Sequence, residues 1–340
     1  MLGVDSSDVV VRPGPLGLIV PRAVLLRAEG DDRDLEMGTP QIEQVDVDTE
    51  LLWVTTTFDD ETMAMVASTV GEPALRLSRL MRSADRPTFR DDAELTVFSV
   101  RVPDPDENER SNAITCAIGR GWVATAEAHP SDILSRFGEY VNASDWLGSL
   151  DSASFAALLM EWLFSQYMRS FEMVEREVDR IDTKLLAGEI SNSDDAVAVL
   201  VALRRRVSLL RRMLAEHRDL EVWLAHAVEH PLVSVAAMQH LERISPRLDQ
   251  ARQAADTARD SINGSFALLM STAAQRTNDI IKLLTVVSVT LLPATLVTGV
   301  MGMNFHPSFF DQPALFWVVV AVMTSFVSGA LIAARRGRWI

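Results

Sequence analysis

Two long uncharged runs near the C-terminus constrain this chain more than any other feature. The first, Leu283–Met301, holds 19 residues without a charged side chain, and the second, Pro313–Ala334, holds 22. A hydrocarbon core about 30 Å thick needs about 20 helical residues to cross it, and lipid offers no partner to an unpaired backbone polar group. The sequence therefore predicts two transmembrane helices joined by a short loop.

The charges that flank these runs predict their orientation. Arg276 and Lys282 precede the first run, three arginines between residues 335 and 338 follow the second, and the connecting residues 302–312 contain no Lys or Arg. Basic residues accumulate on the cytoplasmic side of membrane helices, so both chain ends are predicted to be cytosolic and the loop extracellular or periplasmic. We therefore expect a multi-pass protein of the cell membrane, with membrane lipid among its partners.

The remaining sequence limits the classes of function. No apolar signal-type run opens the chain, and its single cysteine, Cys116, excludes an internal disulfide framework. The formal net charge of −15 lies in the part ahead of the two runs and disfavours nucleic acid as a partner. The sequence contains no phosphate loop, nucleophile elbow or paired-cysteine site, so it predicts neither catalytic residues nor a cofactor.

Residues 1–145 are predicted to form a cytosolic mixed α/β domain. Short runs rich in β-branched and apolar residues occur at Leu16–Leu26, Leu51–Thr57, Leu95–Val102, Ala113–Ile118 and Trp122–Ala126. Glu61–Val70, Glu72–Met81 and Ser131–Val141 have the periodicity and capping residues of helices.

Residues 146–245 are predicted to form a long helical hairpin. From Ser152 onward, apolar residues recur at three- and four-residue steps until Ala187-Gly188 ends the pattern. A second helix is predicted from about residue 195 to 228, after a short polar link. Two long helices with a short connection pack antiparallel.

A third long helix is predicted to begin near Pro246 and to continue directly into the first uncharged run. No further proline occurs before Pro293, so a helix from Arg247 to Met301 would be about 80 Å long. The predicted fold class is therefore α+β, with the mixed domain and the helical hairpin followed by four C-terminal segments. These are a stalk and first transmembrane helix over 246–301, a loop over 302–312, a second transmembrane helix over 313–334 and a basic tail over 335–340.

One face of this third helix carries polar and small side chains. The residues that share the face are Asn278, Ile281, Leu284 or Thr285, Ser288, Leu292, Thr295 and Gly299. Such a stripe is typical of contacts between membrane helices, and it is also typical of a pore lining. Because two spans cannot enclose a pore, conduction would require a cyclic oligomer.

The residues around Gly302-Met303-Asn304 carry a resemblance to a known family. The triplet lies directly after one uncharged span and shortly before another, and the chain then ends on a basic segment with Trp339. In this arrangement the C-terminal part resembles the CorA family of magnesium and divalent-cation transporters, a superfamily with ZntB-like members. The cytosolic domain, helical hairpin and stalk are similar to the family's plan.

The resemblance implies a homopentamer whose first spans line a pore and whose triplets ring its outer mouth. It implies that Asn304 selects the ion and that Gly302 and Met303 shape its loop. The transported ion would be Mg²⁺, with Co²⁺ or Ni²⁺ as surrogates. Because Mg²⁺ loses its water reluctantly, a ring of neutral oxygens that holds the hydrated ion suits conduction.

The resemblance also assigns roles along the first span. It implies that Asn278 lines the cytosolic end of the pore, that Leu284 and Leu292 form apolar constrictions, and that Thr295 and Gly299 lie further out. Ser288 completes the pore-lining set.

Three departures from the family pattern keep other functions open. Met301 replaces the family's usual Tyr, Asp311 is the only acid in the loop, and Arg243 lies where magnesium-sensing members carry an inter-subunit aspartate. No metal-sensing site is therefore assigned. A ZntB-like Zn²⁺ transporter and a membrane-anchored sensor or scaffold without transport remain as alternatives. His306 in the loop is compatible with zinc, but a loop histidine beside proline is more often a plain surface residue.

Overall fold

The computed structural model describes residues 21–27, 32–81, 87–92, 94–103, 111–129, 131–143, 151–189, 193–224, 230, 232–302 and 313–336. The chain divides into two compact units. The first comprises Met1–Asp179 and Ala198–Ile262, and the second comprises Arg180–Val197 and Asn263–Ile340.

The first unit contains a seven-stranded mixed sheet. Its strands are β1 (Arg22–Arg27), β2 (Arg33–Leu35), β3 (Glu50–Thr57), β4 (Thr88–Asp92), β5 (Leu95–Pro103), β6 (Ser111–Gly119) and β7 (Trp122–Glu127). Their order across the sheet is β2-β1-β3-β7-β6-β5-β4. The central β3 and β7 run parallel, and every other neighbouring pair is antiparallel.

The five predicted strand runs coincide with β1, β3, β5, β6 and β7 over the part of each run that the structure describes; residues 16–20 lie outside it. The sequence did not predict β2 and β4, which have the sequences RDL and TFRDD. Both are edge strands, and an edge strand pairs on one side only and tolerates charge. The apolar pattern that reveals a central strand is therefore missing from them.

One face of the sheet is covered by helices α1 (Asp60–Val70) and α2 (Ala74–Met81). Alternate strand residues such as Leu52, Val54 and Trp122 point to these helices, because successive side chains on a strand point to opposite faces. Asp59 caps α1 by accepting a hydrogen bond from the backbone N–H of Thr62 at 2.9 Å. Hydrogen bonds from the hydroxyls of Thr57 and Thr62 to this carboxylate lower its pKa to about 2.

The other face of the sheet carries an aromatic cluster beneath α3 (Ile133–Ala143) and α4 (Ser152–Leu186). The Trp53 ring lies 5.8 Å from that of Phe137 and 5.3 Å from that of Phe155. Its indole N–H donates to the Thr125 hydroxyl at 3.0 Å, so the buried polar atom has a partner. Cys116 is a buried residue of β6, within the predicted strand run Ala113–Ile118, and burial raises the pKa of its thiol.

The helical hairpin follows the sequence prediction up to residue 215. Helix α4 ends at Leu186, and Gly188 adopts the left-handed conformation (φ 72°) that commonly follows a helix end. The second predicted helix is divided into α5 (Ser193–Ala215) and α6 (Arg218–Leu224), with a turn at residues 216–217 between them. Helix α7 (Val235–Leu241) follows.

A buried hydrogen-bonded cluster accounts for this interruption. The backbone N–H of Arg101 on β5 donates to His217 Nε2 at 3.1 Å, and the Tyr167 hydroxyl on α4 donates to the Arg101 carbonyl at 2.6 Å. The Arg101 guanidinium forms an ion pair with Glu216 at 3.2 Å. The turn thus directs His217 into the interior, where it ties the helices to the sheet.

We expect His217 to make the folded state less stable as the pH is lowered. Burial lowers the pKa of His217 from 6.5 to about 4, because the charged ring would lose its hydration. The unfolded chain therefore takes up a proton near pH 6.5 and the folded chain only near pH 4, so this stabilisation is complete above about pH 6.5 and disappears toward pH 4. Its full size is roughly 3 kcal/mol. Urea unfolding of wild type and of His217→Gln at several pH values measures it.

The comparison with His217→Gln is needed because another buried group acts in the opposite direction. Burial raises the pKa of Glu127 to about 7, against hydrogen bonds from Ser131 and Leu134 that lower it. The contribution of Glu127 to the stability of the folded state is complete below about pH 4.5 and is lost as the pH rises through 7. His217→Gln should be less stable than wild type at pH 8, with a difference that shrinks toward pH 4. A difference that does not change with pH would contradict the assignment.

The second unit contains both predicted membrane spans, and it includes helix α8 (Ile244–Gly302) from Asn263 onward. Helix α8 is continuous through Pro293, which confirms that the stalk and the first span form one helix. Helix α9 (Pro313–Arg336) forms the second span, and residues 303–312, which precede it, lie outside the described residues. Both helices are long and apolar enough to cross a membrane. Only 11% of the most apolar 18-residue segment of α8 is buried, and only 6% of the corresponding segment of α9. A core helix of a soluble protein would be mostly buried.

Candidate functional site

One side of α8 packs within its own hairpin. Val286 and Thr290 are buried, with 8% and 7% of their surfaces exposed, and Ala334 of α9 is buried to the same degree. Val286 and Ala334 line the same cleft between the two helices. The packed side of α8 therefore faces α9.

The predicted pore-lining residues lie on the other side of α8. At about 100° per residue, Leu284, Ser288, Leu292, Thr295 and Gly299 all fall within about 40° of the direction opposite to Val286 and Thr290. All five are exposed in the single chain, Leu284 by 63% and Leu292 by 73%. Two large apolar side chains are thus left uncovered beside hydroxyls and a glycine.

Asn278 is also exposed, but it lies about a quarter turn away from the line of the other five. Gly302, the last residue of α8, returns to that line and is exposed. A Cβ added at Gly299 or Gly302 would meet no atom within 4 Å, so nothing in the single chain requires glycine there.

The hydroxyl group of Thr295 lies on this exposed side of α8 and can act as a hydrogen-bond acceptor. Thr295 donates its own proton to the carbonyl of Leu291 at 2.9 Å, one turn earlier in the helix. Its oxygen keeps free lone pairs, which can accept a hydrogen bond from water. A hydrated cation presents water hydrogens to its surroundings, so acceptors of this kind match its outer surface.

This side of α8 carries no charge within the span. Residues 283–302 contain no Asp, Glu, Lys or Arg. The nearest charges, Asp279 and Lys282, form an ion pair at 2.8 Å. Both lie on the side of α8 that faces α9. The exposed stripe is therefore neutral, and it can weakly hold a hydrated dication without trapping it as carboxylates would.

Two of the predicted selectivity residues, Met303 and Asn304, lie outside the described residues, as do His306 and Asp311. Arg243 lies in the turn between α7 and α8, where its backbone N–H donates to the carbonyl of His240 at 3.1 Å. Within the described ranges, no group of three or more His, Cys, Asp or Glu side chains is arranged to hold a metal ion.

The sequence interpretation missed the cleft between α8 and α9. Its α9 wall consists of Ala330, Ala333 and Ala334. The spacing of these three small residues, at steps of three and one, was the available signal, because small residues at helical spacing mark contacts between membrane helices.

Comparisons with known proteins agree with this architecture. The profile of the family described as "CorA-like Mg2+ transporter protein" matches residues 48–336. The cobalt/magnesium transport protein CorA of Methanocaldococcus jannaschii is 20% identical over 316 residues, which cover 91% of this chain and 98% of that protein. The CorA of Thermotoga maritima is 23% identical over 192 residues, 54% of this chain, so the match spans about half (51%) of that relative's length.

The solved structure of the complete Methanocaldococcus jannaschii CorA magnesium transporter superimposes with a TM-score of 0.70 at 18% identity, covering 95% of this chain and 99% of that one. At this identity the likeness shows the fold, which confirms the α+β architecture predicted from the sequence. The family consists of ion transporters and not of enzymes. Since its profile matches most of the sequence, the chain belongs to the CorA-like Mg²⁺ transporter family.

Proposed function

We propose that this protein is a divalent-cation channel of the cell membrane that takes up Mg²⁺ as a homopentamer. The observation that carries the proposal is the neutral stripe of α8, exposed on the side opposite to α9. Its relatives' names include cobalt and magnesium transport, which supports Co²⁺ as a surrogate substrate. Ni²⁺ is proposed as a second surrogate on the family resemblance alone.

The exposure of the stripe supports an assembly of several copies. Leu284 and Leu292 are among the most exposed large apolar residues of α8. One hairpin cannot enclose a channel, whereas a ring of hairpins brings one stripe from each copy to a common axis. In that arrangement Leu284 and Leu292 narrow the passage with apolar rings, while Ser288, Thr295 and Gly299 leave wider, wetter levels between and beyond them.

The proposed selectivity site lies at the outer end of this passage. Asn304 follows the end of α8 by two residues, so a ring of its amide oxygens stands where the ion enters, with Gly302 and Met303 shaping the loop. Neutral oxygens bind the hydration shell of Mg²⁺ and leave the inner shell intact. With both chain ends in the cytosol, the membrane potential drives uptake with roughly 4.6 kcal/mol for two charges at 100 mV.

Uptake by the purified protein in proteoliposomes tests the proposal. Mg²⁺, Zn²⁺ and Co²⁺ are supplied alone and in competition, with and without a pH gradient. Flux of Mg²⁺ that follows the membrane potential and ignores the pH gradient is expected. Preference for Zn²⁺ with dependence on the pH gradient would replace the proposal by ZntB-like transport. Absence of any ion flux would favour a membrane-anchored sensor or scaffold.

Neighbouring leucines of α8 provide a matched test of the stripe. Leu284 and Leu283 are exposed by 63% and 53%, but they point about 100° apart around the helix. Leu284→Ala should raise ion flux severalfold, because it widens an apolar constriction, and Leu283→Ala should leave flux near the wild-type value. Initial uptake rates in proteoliposomes measure both. Equal rates for the two variants would argue against a pore-facing Leu284.

A further inference from the structure

Helix α5 presents an exposed basic face in a chain whose formal net charge is −15. Residues 196–215 hold five arginines and no Asp or Glu. Three of these arginines are exposed and form no ion pair with any residue that the structure describes, and together they are called the basic face: Arg204, Arg205 and Arg212. Their neighbour Arg211 pairs with Asp256 of α8 at 3.1 Å, so arginines on this helix are placed to bind carboxylates.

The opposite charge is concentrated in another part of the first unit. Residues 34–75 hold ten Asp or Glu and no Lys or Arg. In the segment ahead of β3, three acids are exposed and form no ion pair within the described ranges, and they are called the acidic loop: Glu43, Asp46 and Asp48. Val47 lies among them in the sequence and is 40% exposed. This surface therefore combines negative charge with one accessible apolar side chain.

The acidic loop is held in place on the α1 side of the sheet. The backbone N–H of Gln41 donates to the carbonyl of Thr69 on α1 at 3.0 Å. The side chains of Ile42 and Val45 pack against the core between the sheet and α1. The loop is thus already ordered in the single chain, so a partner that binds it does not have to supply the free energy of ordering it.

The basic face lies on the other side of the sheet. Helix α4 covers that side, where Phe155 contacts Trp53, and α5 packs against α4. A groove of about 620 Å³ separates the two helices beside Arg205, and its apolar lining includes Met173, Val199, Leu203 and Leu209. Because the sheet and its helical layers separate the basic face from the acidic loop, one copy cannot bring its own two patches into contact.

We propose that the basic face of one copy binds the acidic loop of the next copy. The inference rests on the proposed function, which requires several copies around one axis. Complementary patches on opposite sides of a subunit produce head-to-tail contacts, and such contacts close into a ring when the rotation fits. Guanidinium–carboxylate bonds form the rim of this contact, and Val47 faces the apolar groove at its centre. An oligomer also brings the acidic surface of a second copy closer than that of any other molecule.

Charge reversal in the full chain tests the contact. The two variants are Arg204→Glu/Arg205→Glu/Arg212→Glu and Glu43→Arg/Asp46→Arg/Asp48→Arg. Sedimentation of the detergent-purified protein over a dilution series measures the dissociation constant between copies. Each variant should raise it about tenfold or more, because three attractions between exposed charges become repulsions. A chain that carries both sets of reversals has complementary patches again and should return to within about threefold of wild type.

A third variant controls for the change in net charge. Arg33→Glu/Arg169→Glu/Arg259→Glu makes the same change at three exposed positions outside the basic face and should leave the dissociation constant unchanged. Circular dichroism establishes that each variant is folded. If a reversed variant does not fold, Arg205→Gln/Arg212→Gln and Asp46→Asn/Asp48→Asn replace the two sets, and each should weaken association about threefold.

Two results would overturn this proposal alone. Equal dissociation constants for wild type and both reversed variants would show that the patches do not meet. Weak association of the basic-face variant that the double reversal does not repair would assign the arginines to another anionic partner, such as a lipid headgroup. Both results require that wild type assembles, and they leave the channel intact. A monomeric wild type would instead remove the ring on which the proposed function depends, together with this contact.

Discussion

Replacing Asn304 with alanine should abolish Mg²⁺ uptake while the protein still assembles. The amide oxygen is the group proposed to accept hydrogen bonds from the water around the entering ion, and alanine has no acceptor. Without this acceptor, no hydrogen bond at the entrance offsets the free-energy cost of ordering the hydration shell of the ion. Mg²⁺-dependent growth and uptake in a transport-deficient strain measure the effect, and uptake should fall to that strain's background.

Two further substitutions in the same loop make this result specific. Ser308→Ala, a change of one polar side chain outside the triplet, should keep wild-type uptake. Asn304→Asp should bind Mg²⁺ more tightly and conduct it more slowly, because a carboxylate holds a dication too strongly for release. Native mass spectrometry of each variant establishes that assembly is intact. Normal uptake by Asn304→Ala would refute the selectivity role.

Replacing Trp53 with alanine should destabilise the sheet-containing unit by about 3–5 kcal/mol, a large part of the 5–15 kcal/mol typical of a folded domain. Trp53 is 2% exposed and lies in the aromatic cluster with Phe137 and Phe155. The substitution removes these ring contacts, leaves a cavity and deprives Thr125 of its indole donor. Urea unfolding of the full chain in detergent, followed by near-ultraviolet circular dichroism, measures the loss.

Trp53→Phe and Leu75→Ala are the controls for this prediction. Phenylalanine keeps most of the apolar volume and should restore more than half of the lost stability. Leu75 is 86% exposed, so its truncation should change the stability by less than about 0.5 kcal/mol. A loss below about 1 kcal/mol for Trp53→Ala would show that the cluster does not hold this face of the sheet together.

Sequence patterns predicted those elements whose physics is local. The run Leu283–Met301 has to be a helix in lipid, and nothing between Pro246 and Pro293 interrupts the helix that leads to it. The continuous apolar and β-branched runs of β3 and β7 reflect strands buried on both faces. The edge strand β4 lacks that pattern, and the sequence did not reveal it.

The candidate site was only partly accessible to sequence reasoning. Helical spacing was sufficient to place Ser288, Leu292 and Thr295 on one face, because side-chain direction in a helix follows from residue number alone. Spacing could not say whether that face meets α9 or stays exposed. That question depends on which side of each helix the hairpin buries, and the structure shows Val286 and Thr290 on the buried side.

The sequence by itself determined the two spans, the long helix entering them, their charge asymmetry and the position of the Gly302-Met303-Asn304 triplet, because chain length, charge and local periodicity fix these features. Only the tertiary structure decided the strand order, the turn at His217 and the cleft beside Ala330. Each of these depends on contacts between residues far apart in the chain, such as the bond from Arg101 to His217. The energy of such contacts arises only when both partners are brought together by folding, so no local pattern records it.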